Sequence, residues 1–299
     1  MGTIDEVRDF KDDAATGRKS YFGGTMFKAI LKGSVQLCLS NFDNLIKAAG
    51  AWTVILIVFG IAAQVSGYGY LANAERLMIT NPWRFGVFSL ISIFLPIIAS
   101  SSIAVAWHRF ALLGERPAMI HLRFGRSEFR YFLYSLLLGL LAVLIASGIA
   151  FLAFVATWII SGFPLDRGFT PLMVPLAVIG FVLVSPILMR VGLMLPASAV
   201  DKPMGPFRAD RFGKGLGWPM VFATICLIIP FMVLDFAIIF LIAGIGSGLP
   251  QILVGLQFIM LKGLEQIILT ILLLSVVTVA YAHARRRDEM TAGPIDPAA

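Results

Sequence analysis

Six runs of almost unbroken apolar residues set the pattern of this chain, at about 48–66, 85–107, 131–160, 171–195, 219–245 and 256–282. A helix needs about 20 apolar residues to cross the hydrocarbon layer of a bilayer, so each run predicts one membrane-spanning helix. The third would be about 45 Å long if helical throughout, and must tilt or extend past the lipid. Leu249–Met260 is apolar as well, which leaves the start of the sixth span open and allows a re-entrant or interfacial piece there. Residues 24–47 follow a different period. Phe27, Leu31, Val35, Cys38, Phe42, Leu45 and Ile46 fall on one helical face, and Lys28, Lys32, Gln36, Asp43 and Lys47 fall off it. Such an amphipathic helix either lies in the headgroup layer with its lysines on anionic phosphates or packs on the protein's own cytosolic face. The pattern thus predicts an all-α polytopic membrane protein in four parts: a polar N-terminal segment (1–23), an amphipathic interfacial helix (24–47), a six-helix domain (48–283) and a C-terminal tail (284–299).

Composition agrees with this reading. Of the 299 residues 59% are hydrophobic and 14% charged, against about 45–50% and 25% in soluble domains. The formal charge of +7 would suit nucleic acid, but its placement points elsewhere. Residues 1–47 carry seven Lys and Arg, and the connections then carry in turn Arg76 and Arg84, the five arginines 109, 116, 123, 126 and 130, only Arg167, four (Lys202, Arg208, Arg211, Lys214), and none, before Arg285, Arg286 and Arg287 in the tail. Basic and sparse connections alternate, which predicts cytoplasmic termini. It also predicts contacts with anionic lipid, with Lys28, Lys32, Arg123, Arg126 and Arg130 as the candidates. The expected partners are the bilayer and another membrane protein, not nucleic acid.

Aromatic residues bracket the spans. Trp52, Trp83, Trp107, Trp158 and Trp218, with Tyr68, Tyr70, Tyr131, Tyr134 and Tyr281, lie within a few residues of predicted span ends, as an interfacial belt would. Small-residue stripes (Ala142, Ala146 and Ala150; Ser92, Ser100 and Ala104) predict close helix contacts. Pro96, Pro175, Pro186 and Pro230 predict kinks. Basic, partly apolar lead-ins at 27–47, 116–130 and 201–218 precede the odd-numbered spans, a loose threefold rhythm without residue-level identity.

Candidate chemistry is sparse. Cys38 and Cys226 are far apart and read as small buried hydrophobes rather than a disulfide. His108, His121 and His283 lack metal-ligand spacing; His108, Glu115 and His121 could form an acid–base site, but interfacial polar residues are the ordinary reading. Arg190, near the cytosolic end of span four, reads as a residue snorkelling outward. No cofactor is implied. The exceptions are Asp235, Lys262 and Glu265, which lie inside the last two spans, where charge is expensive. Counted from the predicted span ends, Asp235 lies about 15 Å deep and the other two about 9–14 Å. They predict one intramembrane cluster, either a clamp between the helices or a proton, ion or polar-substrate site.

Two connections carry a resemblance: Ala106-Trp107-His108-Arg109-Phe110 through Leu113-Gly114-Glu115-Arg116-Pro117, and Leu195-Pro196-Ala197-Ser198-Ala199-Val200-Asp201-Lys202-Pro203 followed by Arg211-Phe212-Gly213-Lys214-Gly215 and Trp218. These resemble uncharacterised bacterial six-helix inner-membrane proteins, and more distantly the membrane domain that accompanies some glycerophosphodiester phosphodiesterases. The resemblance spans roughly residues 25–285. It implies no catalytic residues, and the phosphodiesterase domain itself is absent. Where those proteins hold a tryptophan-containing amphipathic helix after the Asp-Lys-Pro turn, this chain has Phe207-Arg208-Ala209-Asp210. The functional expectation is a non-enzymatic membrane protein, an accessory subunit or lipid-associated factor; the alternative is a small transporter or channel using the three intramembrane charges.

Overall fold

The computed structural model describes residues 24–66, 78–161, 173–246 and 251–291. Tyr68 and Tyr70, Arg167, and the predicted polar segment 1–23 lie outside these residues. The described residues hold nine helices with given bounds: α1 (Gly24–Ser40), α2 (Phe42–Val65), α3 (Pro82–Leu113), α4 (Arg126–Ser161), α5 (Met173–Val191), α6 (Met194–Ala199), α7 (Pro206–Phe212), α8 (Gly217–Gly246) and α9 (Gln251–Thr291). Six segments are long and apolar enough to cross a membrane, one for each apolar run of the sequence. The protein is all-α and built as a multi-pass membrane protein.

Local chemistry sets the helix limits. Pro82 opens α3 and Pro206 opens α7, at positions where a missing N–H is not needed. Gly114, at φ 75°, ends α3 with its N–H on the Phe110 carbonyl. Glu128 accepts a 2.8 Å bond from the Gly125 N–H, the reach-back half of a capping box that starts α4. The 24–47 segment is not one helix. Asn41 interrupts it, with its side-chain amide donating to the Leu37 carbonyl at 3.0 Å, so residues 42–47 belong to the first span. Gln251–Met260 is helical and continuous with α9, which replaces the re-entrant or interfacial piece considered for it. Pro175 falls in the first turn of α5, where a free N–H would have no intrahelical partner. Pro96, Pro186 and Pro230 remain inside helices.

The spanning helices close a ring through neighbouring pairs α2–α3, α3–α4, α4–α5, α5–α8, α8–α9 and α9–α2. Helix α9 is the centre of packing, since it also meets α1, α3, α6 and α7. At 41 residues it is about 60 Å long, twice the hydrocarbon thickness. Helices α1 and α2 run antiparallel along it. A Cβ on Gly33 would meet Val279 at 3.1 Å, one on Gly60 would meet Ile259 at 3.1 Å, and one on Gly263 would meet Ile57 at 3.4 Å. The apolar face of α1 is therefore taken up by the protein itself. Ile30, Ser34 and Cys38 are buried, and Ile30 packs with Met220, Val276 and Ala280 of α8 and α9. Lys28 and Lys32 stay on the open side.

Helices α6 and α7 connect α5 to α8 and fold back into the bundle, α6 against α3, α4 and α9 and α7 against α5 and α9. Leu193, Met194, Ala197 and Ala199 have no exposed surface. A Cβ on Gly217 would come within 2.6 Å of the Pro186 carbonyl oxygen, so the start of α8 touches α5 almost backbone to backbone. The guanidinium of Arg287 donates to the carbonyls of Lys214 (2.7 Å) and Phe212 (2.5 Å), tying the far end of α9 to the same turn.

Several packing expectations are corrected. Trp52, Trp107, Tyr131 and Tyr281 are core residues, not belt residues, whereas Trp83, Trp158 and Trp218 are exposed. The Ala142–Ala146–Ala150 stripe turns outward at its last two positions, because α4 packs through the face of Tyr131, Leu138 and Ala153 instead. Ser100 is exposed, while Ala99, Ser101, Ser102 and Ala104 are buried. Cys226 is an exposed free thiol on α8, and Cys38 is buried and free. The three lead-ins also differ: 27–47 is most of α1 and the start of α2, 116–130 is an irregular segment that runs into α4, and 201–218 is a turn and the short helix α7 before α8.

Candidate functional site

Two polar constellations stand out, one in mid-membrane and one at the Leu113 end of the bundle. In the first, the Lys262 ammonium on α9 contacts the Asp235 carboxylate on α8 and bonds to Glu265 Oε2 at 2.7 Å. The three residues predicted from sequence are thus brought together. Their depth differs from the sequence count. Gly246 ends α8 and Gln251 starts α9, so Asp235 and Lys262 each lie about 17 Å from that end and Glu265 about 21 Å. This is near the centre of a hydrocarbon layer about 30 Å thick. Lys262 and Glu265 are i,i+3 neighbours on α9 and share a face. Burial divides the carboxylates, with 4% of the Glu265 side chain exposed and 41% of Asp235. Two carboxylates share one ammonium, so an added proton or monovalent cation would balance the formal charge.

The second constellation joins the two connections that carried the sequence resemblance. Arg109 on α3 grips Glu115 with two 2.8 Å bonds. Its remaining nitrogen donates to Asp201 at 2.8 Å and to the Ala199 carbonyl at 3.2 Å. Arg130 on α4 engages the other Asp201 oxygen. Asp201 is held where the pair needs it by a Schellman turn: its φ is 58°, and the Lys202 N–H bonds to the Ala197 carbonyl at 2.9 Å. An aspartate tolerates this left-handed position better than most residues, and Pro203 then prevents the helix from resuming. Beside it, His108 Nδ1 lies 2.8 Å from the Thr278 hydroxyl. The Trp107 indole N–H donates to Ser275 at 2.9 Å, and Ser275 also meets the Cys38 thiol at 3.2 Å.

The arginine pairing holds the carboxyls of Asp201 and Glu115 below their ordinary values, in each case chiefly through the bonds from Arg109. Depressed carboxyl values contribute stability above the unfolded value of about 4 and lose it as pH falls through the folded value. Wild-type protein in detergent is therefore expected to lose melting temperature below about pH 4, and Asp201→Asn with Glu115→Gln to lose less over the same interval. An identical acid limb in both proteins would disprove the assignment.

The other candidates fall into place separately. Glu115 is taken by Arg109 and His108 by Thr278, so His108, Glu115 and His121 form no acid–base site. Burial pushes the His121 imidazole below its usual value. Arg190 does not simply reach outward: it meets Asp210 of α7 at 3.2 Å and the Pro186 carbonyl at 3.3 Å. Among the lipid candidates, Arg130 is turned inward to Asp201, whereas Lys28, Lys32, Arg123 and Arg126 are exposed. Among the described residues no group of His, Cys, Asp and Glu is placed to hold a metal. A shallow open groove of about 280 Å³ runs along Trp83, Arg84, Val87, Phe88 and Ile91 at the start of α3. No protein-family model matches the chain, and no curated protein or solved structure is significantly similar to it.

Proposed function

We propose that this chain is a non-enzymatic protein of the bacterial inner membrane with cytoplasmic termini, acting as an accessory subunit of a larger membrane complex. Asp235 carries the reading. A carboxylate near mid-bilayer with 41% of its side chain uncovered faces surroundings in which charge costs roughly 2.5–3.5 kcal/mol on insertion scales. Lys262 relieves only part of that cost, because it is shared with Glu265. A neighbouring transmembrane helix with a polar or basic residue at the same depth would supply the rest. Purification in mild detergent with mass spectrometry is expected to recover a stable membrane partner with the wild type and to lose it with Asp235→Leu, which leaves the Lys262–Glu265 pair in place. Wild-type protein that purifies alone would count against the subunit reading. Reporter fusions after Ala299 test the orientation, which a periplasmic carboxyl terminus would invert.

The same cluster supports a second reading, a small transporter, because two carboxylates sharing one ammonium can take up a proton or cation. Solute or proton flux in vesicles containing only this protein would favour it.

A further inference from the structure

We propose that the segment between α3 and α4, residues 114–125, is a lipid-inserting loop that binds anionic phospholipid headgroups. The inference does not depend on the subunit reading.

Sequence pattern places this segment as a cytosolic connection, but its path is different. The Ser102 hydroxyl donates to the Arg123 carbonyl at 2.7 Å. Ser102 lies eleven residues before the end of α3 at Leu113, so the loop folds back about 17 Å along that helix. Ser102 is also twenty residues from Pro82 at the opposite end of α3. That is about 30 Å, the thickness of the hydrocarbon layer. With Pro82 taken as the opposite edge of that layer, the returning chain falls at the boundary between acyl chains and headgroups.

Its composition fits that depth. Met119 and Ile120, in the middle of the loop, are 85% and 72% exposed, and Leu122 and Phe124 are exposed as well. Four exposed apolar side chains within six residues would be poorly placed in water. Arg123 lies among them and Arg116 and Arg126 flank them, all three exposed and without an acidic partner among the described ion pairs. Apolar residues directed into acyl chains with basic residues at phosphate level form an interfacial anchor. The frame is fixed at both ends, by Arg109 on Glu115 and by Glu128 on the Gly125 N–H. Pro117 is buried between them. The loop is presented to the membrane already formed, so little ordering is needed when lipid binds.

The test uses the purified full chain in nanodiscs of mixed phosphatidylglycerol and phosphatidylcholine. A spin label is placed at Ile120→Cys in a Cys226→Ala background, where the remaining thiol, Cys38, is buried. Collisions with oxygen are expected to exceed those with a water-soluble nickel chelate. The reverse order places the loop in water and overturns the proposal, and shielding from both probes shows a protein-covered loop and overturns it too. Headgroup preference is read from the fraction of spin-labelled phosphatidylglycerol held at the protein surface. Arg116→Gln, Arg123→Gln and Arg126→Gln are each expected to weaken that preference by roughly five-fold near the surface, more at low salt than at high. An unchanged preference in the triple variant overturns the anionic assignment. Circular dichroism and melting of each variant confirm that it is folded.

Discussion

Replacing Lys262 with methionine is expected to destabilise the protein by about 3–5 kcal/mol, the usual result of removing one member of a buried ion pair. The ammonium is the only positive charge in contact with Asp235 and Glu265 among the described ion pairs. Its loss leaves two carboxylates near mid-bilayer. Adding either Asp235→Leu or Glu265→Leu should restore part of the stability, because each removes one of the two carboxylates left without their counter-charge. Reversible unfolding in mixed detergent micelles measures each variant. A single variant within about 1 kcal/mol of wild type would show that the pair contributes nothing beyond an ordinary surface contact. The variants also separate clamp from transport site: a clamp recovers function together with stability, whereas a transport site recovers stability alone.

Trp107→Ala should be comparably severe, at about 3–5 kcal/mol for deletion of a buried large aromatic. The indole has no exposed surface. It fills the space between Cys38, Trp52, Ile103 and Ile271, and its N–H reaches Ser275, which in turn bonds to the Ile271 carbonyl. Trp107→Phe keeps most of the volume and loses only the bond, so it should cost about 1–2 kcal/mol. Equal effects of the two substitutions in the same unfolding assay would mean that the hydrogen bond, not the packing, holds α1, α3 and α9 together there.

The apolar runs were enough to read the spans, because hydrocarbon thickness imposes one length on every crossing helix. Asp235, Lys262 and Glu265 were legible for a related reason: charge inside such a run is conspicuous, and pairing within the last hairpin is the nearest relief. What the sequence hid was the interior of the two ends. Trp107 and Tyr131 read as belt residues by position alone, since hydropathy cannot distinguish an indole facing headgroups from one facing Ser275. Asp201 stood out only as part of the Asp-Lys-Pro turn. Its meeting with Arg109 and Arg130 joins segments that are ninety-two and seventy-one positions apart, and no local period encodes that. The return of residues 114–125 along α3 was equally hidden, because a bond from Ser102 to a backbone carbonyl leaves no mark on the choice of side chain at Arg123. Small-residue stripes misled in the opposite sense: alanine at 146 and 150 permits close approach without requiring it.

The central place of α9 also bears on how the protein is made. A chain emerges amino terminus first, so α1, α2, α3, α6, α7 and α8 are all synthesised before the helix they share. Until Ser275 and Val279 arrive, the face of α1 that carries Ile30, Gly33 and Cys38 has no α9 to cover it. Contacts between such distant parts of a chain form slowly. Insertion therefore finishes with a locking step in which a late helix closes over an early one. A nascent chain arrested before Gln251 would present to the quality-control proteases of the membrane a bundle of inserted helices still lacking its axis.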